Sequence, residues 1–310
     1  GVIITSAGEI ITNNHVISGA TSVKVKTSDG KSYTAQVVGT DSKKDLALIK
    51  LENASGLKPA TLGNSDGVKV GDTVVAIGSP EGLTGTVTSG IVSALSRDVT
   101  VSTDESQSQG QGGQGSGGNW PFQFGGQQFN GDTGTSTTTY KALQTDASLN
   151  PGNSGGALID AGGNIIGINS AMYSAAADSS SSDAGSVGLG FAIPINQAKY
   201  VAQQLIKTGE PVYAKIGASV SLADSTNGAK ISESAEGGSS AVESGGPAAQ
   251  AGLKPGDVIT KLDDMVIDSG PTLIGEIWTH QPGDKVTITY ERDGKTHTVD
   301  LTLGSRKGDS

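Results

Sequence analysis

The sequence predicts a mainly β protein made of more than one unit, and three observations carry that prediction. The first 64 residues are short β-prone runs separated by turn signals, with no helical periodicity between them. A second set of such runs follows and closes on a single amphipathic helix near residue 200. A third group of strands, from about residue 213, surrounds two short helical signals. At 310 residues the chain is long enough for two or three domains, each with its own core.

In the first set, Val2-Ile3-Ile4, Ile10-Ile11-Thr12, Val23 to Lys26, Tyr33 to Val38 and Leu46 to Leu51 alternate with turn signals such as Ser28-Asp29-Gly30 and Asp41-Ser42. Five strands in succession argue for an antiparallel barrel or a sandwich. The second set opens with Val74 to Gly78 and Thr86 to Ser93, which bracket the turn Ser79-Pro80-Glu81-Gly82. From about 102 to 139 the chain is Gln, Gly, Ser and Thr with almost no aliphatic residue, a composition that cannot offset its ordering entropy, so a disordered insertion is expected there. Trp120, Phe122, Phe124 and Phe129 within it read either as chance aromatics or as a short motif that docks in an apolar groove.

Order resumes with Tyr140 to Asp146, Ala157 to Ile159 and Asn164 to Ile168. A second Ser/Ala-rich loop covers 174–186, and Gly188 to Pro194 is an extended run stopped by proline. Asn196 is placed to cap a helix whose Ala198, Val201, Ala202, Leu205 and Ile206 share one face, ended by Lys207 and Gly209. The expected partition is therefore 1–64, 65–211 with the insertion, and 212–310. In the last part, Ala229 to Ser232, Val258 to Leu262, Val286 to Tyr290 and Thr298 to Leu303 read as strands. Pro247 to Gly252 is a short glycine-stopped helix, and a second helix from Pro271 sets Leu273, Ile274, Ile277 and Trp278 along one side.

Composition narrows the partners. A net charge of −10 argues against nucleic acid, and no apolar run approaches the roughly 20 residues of a membrane helix. There is no cysteine, which excludes thiol catalysis and disulfides. The absence of a nucleotide motif or metal-ligand cluster leads us to expect no cofactor. The chain opens at Gly1-Val2-Ile3-Ile4, inside a strand and without Met, so it reads as a piece of a longer protein, with a signal peptide, membrane anchor or first strand expected ahead of it.

Chemistry concentrates at Pro151-Gly152-Asn153-Ser154-Gly155-Gly156-Ala157-Leu158. Glycines around Ser154 let substrate approach and allow strained backbone that aims the Gly152 and Ser154 amides at one spot; alone, the stretch reads equally as a glycine turn. His15 ends the Ile10-Ile11 strand and is the one histidine in the first 279 residues; alone it reads as a core or surface histidine. Asp45 opens the Leu46 strand, where a turn aspartate is common. Together they fill three roles, because a serine hydroxyl needs an imidazole base, and the imidazole needs a carboxylate to fix its tautomer.

The first 210 residues resemble trypsin-like serine proteases of the HtrA (Deg) family. The resemblance rests on Thr12-Asn13-Asn14-His15-Val16, Asp45-Leu46-Ala47-Leu48-Ile49-Lys50, Gly90-Ile91-Val92-Ser93, Gln144-Thr145-Asp146-Ala147, Asn150 to Gly156 and Gly190-Phe191-Ala192-Ile193-Pro194. It implies a chymotrypsin-like pair of six-stranded β-barrels, with His15 as general base, Asp45 as its carboxylate, Ser154 as nucleophile, and the Gly152 and Ser154 amides as the oxyanion hole. Asn153 stands where digestive relatives carry the aspartate that pairs with a newly cut N-terminus, so zymogen activation is not expected. Ser148 stands where a trypsin selects basic side chains, which implies a small uncharged pocket bordered by Phe191, Ala192 and Ile193, a strand expected to pair with substrate backbone.

Residues 213–308 resemble an HtrA-type PDZ domain, most specifically at Gly252-Leu253-Lys254-Pro255-Gly256-Asp257-Val258-Ile259. Its carboxylate-binding loop would be Lys215-Ile216-Gly217-Ala218, with the Pro271 helix as the other groove wall. The resemblance implies an extracytoplasmic, ATP-independent endopeptidase for unfolded or damaged proteins, assembled as a homotrimer, with peptide C-termini or apolar segments bound at the PDZ domain. The loops at 102–139 and 174–187 are expected to switch the site on. The competing reading is a PDZ-containing holdase with little protease activity. His280 and His297 read as surface histidines.

Overall fold

The computed structural model describes residues 1–79, 85–102, 122–124, 127–129, 137–150, 152–170, 189–222, 227–235 and 238–308. The chain divides into two compact units, Gly1–Pro211 and Val212–Asp309. Among the described residues no helix is long and apolar enough to cross a membrane.

The first unit begins with β1 (Val2–Ile3), β2 (Glu9–Thr12), the single-turn helix α1 (Asn14–Ile17), β3 (Val23–Lys26), β4 (Ser32–Asp41) and β5 (Leu46–Leu51). These strands form one antiparallel sheet in the order β1-β2-β5-β4-β3. Among the described residues this sheet has five strands, where the resemblance implied a six-stranded barrel with a first strand expected ahead of Gly1. At its β1 edge the neighbouring chain gives a single backbone bond, from the Ala60 amide to the Ile3 carbonyl, rather than a strand.

The second sheet contains β6 (Thr73–Gly78), β7 (Thr86–Ser102), β8 (Phe122–Phe124), β9 (Gln127–Phe129), β10 (Thr137–Thr145), β11 (Ala157–Asp160), β12 (Ile165–Ser170) and β13 (Gly190–Pro194). Its order is β10-β13-β12-β11-β6-β7, and β7 pairs back onto β10, which closes a six-stranded barrel. Closure is possible because β7 is 17 residues long: its first half pairs with β6 and its second half with β10.

Of the insertion expected to be disordered at 102–139, residues 103–121, 125–126 and 130–136 lie outside the described residues. Within the described ones β7 ends at Ser102, β10 begins at Thr137, and β8 and β9 pair antiparallel, with Phe122 opposite Phe129 and Phe124 opposite Gln127. The Phe-Gln-Phe alternation is strand chemistry that the surrounding Gly/Gln/Ser composition masked. Trp120 and the whole 174–186 loop lie outside the described residues.

Helix α2 (Ile195–Thr208) follows β13 directly. Its N-cap is Pro194, not Asn196 as the sequence suggested, and no side chain caps it from that position. The early orphan donors are met from elsewhere: the Asn196 amide donates to Ser65 Oγ at 3.1 Å. Gly209 ends the helix in a left-handed conformation, as expected. Ala198, Val201, Ala202 and Leu205 are buried, whereas Ile206 is half exposed, so the apolar stripe is one residue narrower than predicted. This face packs with Ile11 and Leu48 of the first sheet and Tyr140, Ile168 and Ile193 of the barrel in one core.

The second unit comprises β14 (Val212–Lys215), β15 (Ala229–Lys230), α3 (Pro247–Gln250), β16 (Val258–Leu262), β17 (Met265–Val266), α4 (Gly270–Ile277), β18 (Lys285–Arg292), β19 (Lys295–Thr302) and β20 (Gly304–Lys307). One sheet runs β15-β16-β18-β19 with β17 on β16, and β14 pairs with β20. Its core is separate, built on Ile231, Ile259, Leu262, Leu273 and Ile288. Helix α4 starts one residue before Pro271, capped by Ser269 Oγ, which accepts from the Thr272 amide at 3.3 Å.

Candidate active site

Asp45 sits at the mouth of β5 with φ of 51°, a left-handed conformation that aspartate tolerates better than most residues. That twist turns both its carbonyl and its carboxylate toward the start of α1. Its carbonyl accepts from the Asn14 amide at 3.2 Å and from Asn13 Nδ2 at 2.8 Å. Its carboxylate Oδ1 accepts from the His15 amide at 3.0 Å, so one side chain caps the turn that carries the histidine. His15 Nδ1 lies 2.8 Å from Asp45 Oδ2 and 2.9 Å from Oδ1, which places the proton on Nδ1 and leaves Nε2 as the basic nitrogen. Asp45 is 6% exposed, so its carboxylate sits in a poorly solvated setting, whereas the His15 side chain is 32% exposed.

The Ser154 turn is set by backbone conformations that glycine permits. Gly152 and Gly155 both have positive φ, 96° and 76°. Gly155 also has no room for a side chain, because a Cβ there would collide with Thr12 Oγ1, at the strand end three residues before His15. This packing brings the serine turn against the strand that presents the histidine. The Gly155 amide donates to the Asn169 carbonyl at 2.8 Å, and the Gly156 amide to the Asn153 carbonyl at 3.0 Å. Asn169 in turn ties β12 to its neighbours through Nδ2, at 3.0 Å from the Ala157 carbonyl and 3.2 Å from that of Ile77. Asn153 is buried, its side chain pressed on Gly78, where a Cβ would not fit.

The specificity residues fall out differently from the expectation. Ser148 is exposed and its carbonyl accepts from Thr88 Oγ1 at 2.9 Å. Phe191 is 6% exposed, and Ala192 and Ile193 are fully buried. Strand β13 is paired on both sides, with β10 through Leu143 to Thr145 and with β12 through Gly167 to Ser170. Both edges are taken, so substrate cannot add to this strand, and the expected backbone pairing at Phe191 to Ile193 is corrected. In the second unit the Ile216 and Gly217 carbonyls are held by the Ala248 and Glu243 amides, at 2.7 and 2.9 Å, and Ala218 bridges to Val242. Lys215 Nζ is 2.8 Å from Glu243 Oε2 beside this loop. His280 faces Asp284 at 3.9 Å, and the exposed His297 stacks on Tyr290.

Comparison with known proteins agrees with this architecture. The family profile described as trypsin-like peptidase domain matches residues 1–168, and the PDZ domain profile matches 214–303. The Do-like serine protease HtrA of Lactococcus lactis subsp. lactis is 37% identical over 323 residues, which cover all of this chain and 71% of its own. The chain belongs to the HtrA family of serine proteases. Serine protease PepD of Mycobacterium tuberculosis is 40% identical across 98% of this chain and 60% of its own length. The chain likewise spans 56% of the periplasmic serine endoprotease DegP of Escherichia coli, at 37% identity. Among solved structures, the HtrA-type protease AlgW with a decapeptide superposes with a TM-score of 0.62 at 34% identity, covering 98% of this chain and 81% of that one.

The sequence did not single out two residues that the structure adds to the HtrA site. Ser170, at the end of β12, donates from Oγ to Asp45 Oδ2 at 3.3 Å, and Tyr140 on β10 lies 2.9 Å from Ser170 Oγ.

Proposed function

We propose that this chain is an ATP-independent serine endopeptidase that cleaves unfolded or damaged polypeptides outside the cytoplasm. The observation that carries the reading is the His15 imidazole held on Asp45 with Nε2 left basic, while the Ser154 turn packs against the same strand end. In this reading Ser154 Oγ attacks the scissile carbonyl and passes its proton to His15 Nε2. Asp45 stabilises the imidazolium that forms. The carbonyl oxygen becomes an oxyanion, for which the Gly152 and Ser154 amides are the donors. Collapse of that intermediate expels the amine, which takes its proton from His15, and water then releases the acyl group from Ser154 by the same steps.

Ser148 and Phe191 border a small uncharged pocket suited to valine or alanine, with Ala192 and Ile193 holding its wall from inside the sheet. The Ile216, Gly217 and Ala218 loop and α4 form a groove for peptide C-termini. Relatives named as periplasmic proteases support the compartment, and the homotrimer is what the family resemblance implies. A fluorophosphonate that phosphonylates activated serines tests the mechanism. It is expected to label Ser154 stoichiometrically in the wild type and at least about 100-fold more slowly in His15→Ala. Equal labelling of the two proteins would remove His15 from the role of base.

A further inference from the structure

Tyr140 is the largest side chain buried near Asp45 with a polar end, and nothing in the three assigned roles uses it. It is 1% exposed, on a strand of the closed barrel, and its ring packs in the core shared with Ile11, Leu48 and Ile168. A buried phenol needs a hydrogen-bond partner, and its partner here is Ser170 Oγ at 2.9 Å. Direction follows from the acceptor at the far end. Asp45 as a carboxylate only accepts, so Ser170 donates to Oδ2; with its one proton spent there, Ser170 accepts, and Tyr140 donates to it. The order Tyr140 to Ser170 to Asp45 is thus fixed, and it crosses from the closed barrel to the first sheet.

We infer that Tyr140 is a positioning residue for catalysis: through Ser170 it fixes the rotation of the Asp45 carboxylate so that Oδ2 meets His15 Nδ1. The inference rests on the serine peptidase reading above. His15 reaches both oxygens, Oδ1 through its amide and Nδ1, and Oδ2 through Nδ1. Among the described residues, the one hydrogen bond to Oδ2 from outside the histidine turn therefore comes from Ser170 on the barrel. The ionisable groups described around it are His15 from α1, Tyr140 from β10 and, from its own turn, Lys44, which lies over the Tyr200 ring and interacts with Asp41. Burial, and then the charge of Asp45, push the Tyr140 hydroxyl well above the ordinary range of a phenol, so it stays a protonated donor at neutral pH.

The test uses Tyr140→Phe, which keeps the ring and removes the hydroxyl, together with Ser170→Ala and the double variant. In each single variant kcat on a peptide substrate is expected to fall about 3- to 10-fold with KM unchanged, because a loosened base acts on the transition state and not on binding. The NMR resonance of the His15 Nδ1 proton is expected to move upfield as its bond to Asp45 lengthens. Once Ser170 is alanine, Tyr140→Phe is expected to change neither quantity further. A wild-type kcat and unmoved resonance in Tyr140→Phe would overturn the inference, as would additive effects in the double variant. The resonance needs no substrate, so it reads the relay even if the chain cuts no peptide, an outcome that would refute the peptidase reading alone. Should Tyr140→Phe fail to fold, Ser170→Thr replaces it: retained activity and resonance there, with both altered in Ser170→Ala, supports the relay, and equal loss in both overturns it.

Discussion

Asp45 does structural and chemical work with one side chain, and the two can be separated. Its carbonyl and Oδ1 hold the backbone of the turn that carries His15, while both carboxylate oxygens face the imidazole Nδ1. An asparagine keeps the size and one acceptor, yet presents an amide where His15 Nδ1 needs an anion, so the wrong tautomer is favoured. Asp45→Asn is expected to lower kcat by roughly 10³- to 10⁴-fold while the protein stays folded, as measured by steady-state kinetics beside thermal unfolding. A loss under about 10-fold would mean that the charge at 45 is not used. His15, Asp45 and Ser154 stood out as candidates in the sequence because each proposed role demands a particular side chain at a strand end or glycine turn. Tyr140 and Ser170 were not, since a hydroxyl carries no such demand, and Ser170 meets Asp45 only across 125 residues of chain.

At the scale of elements, the Gly252 to Ile259 stretch shows how a readable motif acquires its mechanical meaning. Asp257 is buried, accepts from the Lys254 amide at 2.7 Å, and takes two bonds from Arg292 of β18, each 2.6 Å. Arg292 also donates to the Gly252 carbonyl at 2.9 Å and lies over the Tyr290 ring. The fork therefore clamps the turn before β16 to the neighbouring strand. Removing the acid takes both carboxylate bonds from Arg292 and the acceptor from the partly buried Lys254 amide, so Asp257→Ala is expected to destabilise the second unit by about 2 kcal/mol. Urea unfolding of the variant checks this, and a change under about 1 kcal/mol would contradict the clamp. The glycines and the aspartate were visible in the sequence; the arginine 35 residues on was not, because pairing of β16 with β18 decides which cation arrives. The same limit explains α2, where Ser65 satisfies an amide that local pattern assigned to a cap at Asn196.

Across the whole molecule, period-2 hydrophobicity told where strands lie but not how many close a sheet. The barrel closes because one long strand serves two partners, a property of tertiary register, whereas the first sheet remains at five strands. The interior position of β13 is likewise set by register, and it moves substrate pairing away from Phe191 to Ile193. The sequence order does place the candidate residues, His15 and Asp45 beside the first sheet and Ser154 just ahead of β11, and a PDZ unit with its own core follows Pro211. The central claim is that this assembly hydrolyses peptide bonds through Ser154. Its most direct test is the degradation of β-casein by the chain and by Ser154→Ala at equal concentration, followed by gel and by mass of the fragments. The account predicts cleavage next to small aliphatic residues by the wild type and none by the variant. Cleavage that persists in Ser154→Ala at the wild-type rate would contradict it.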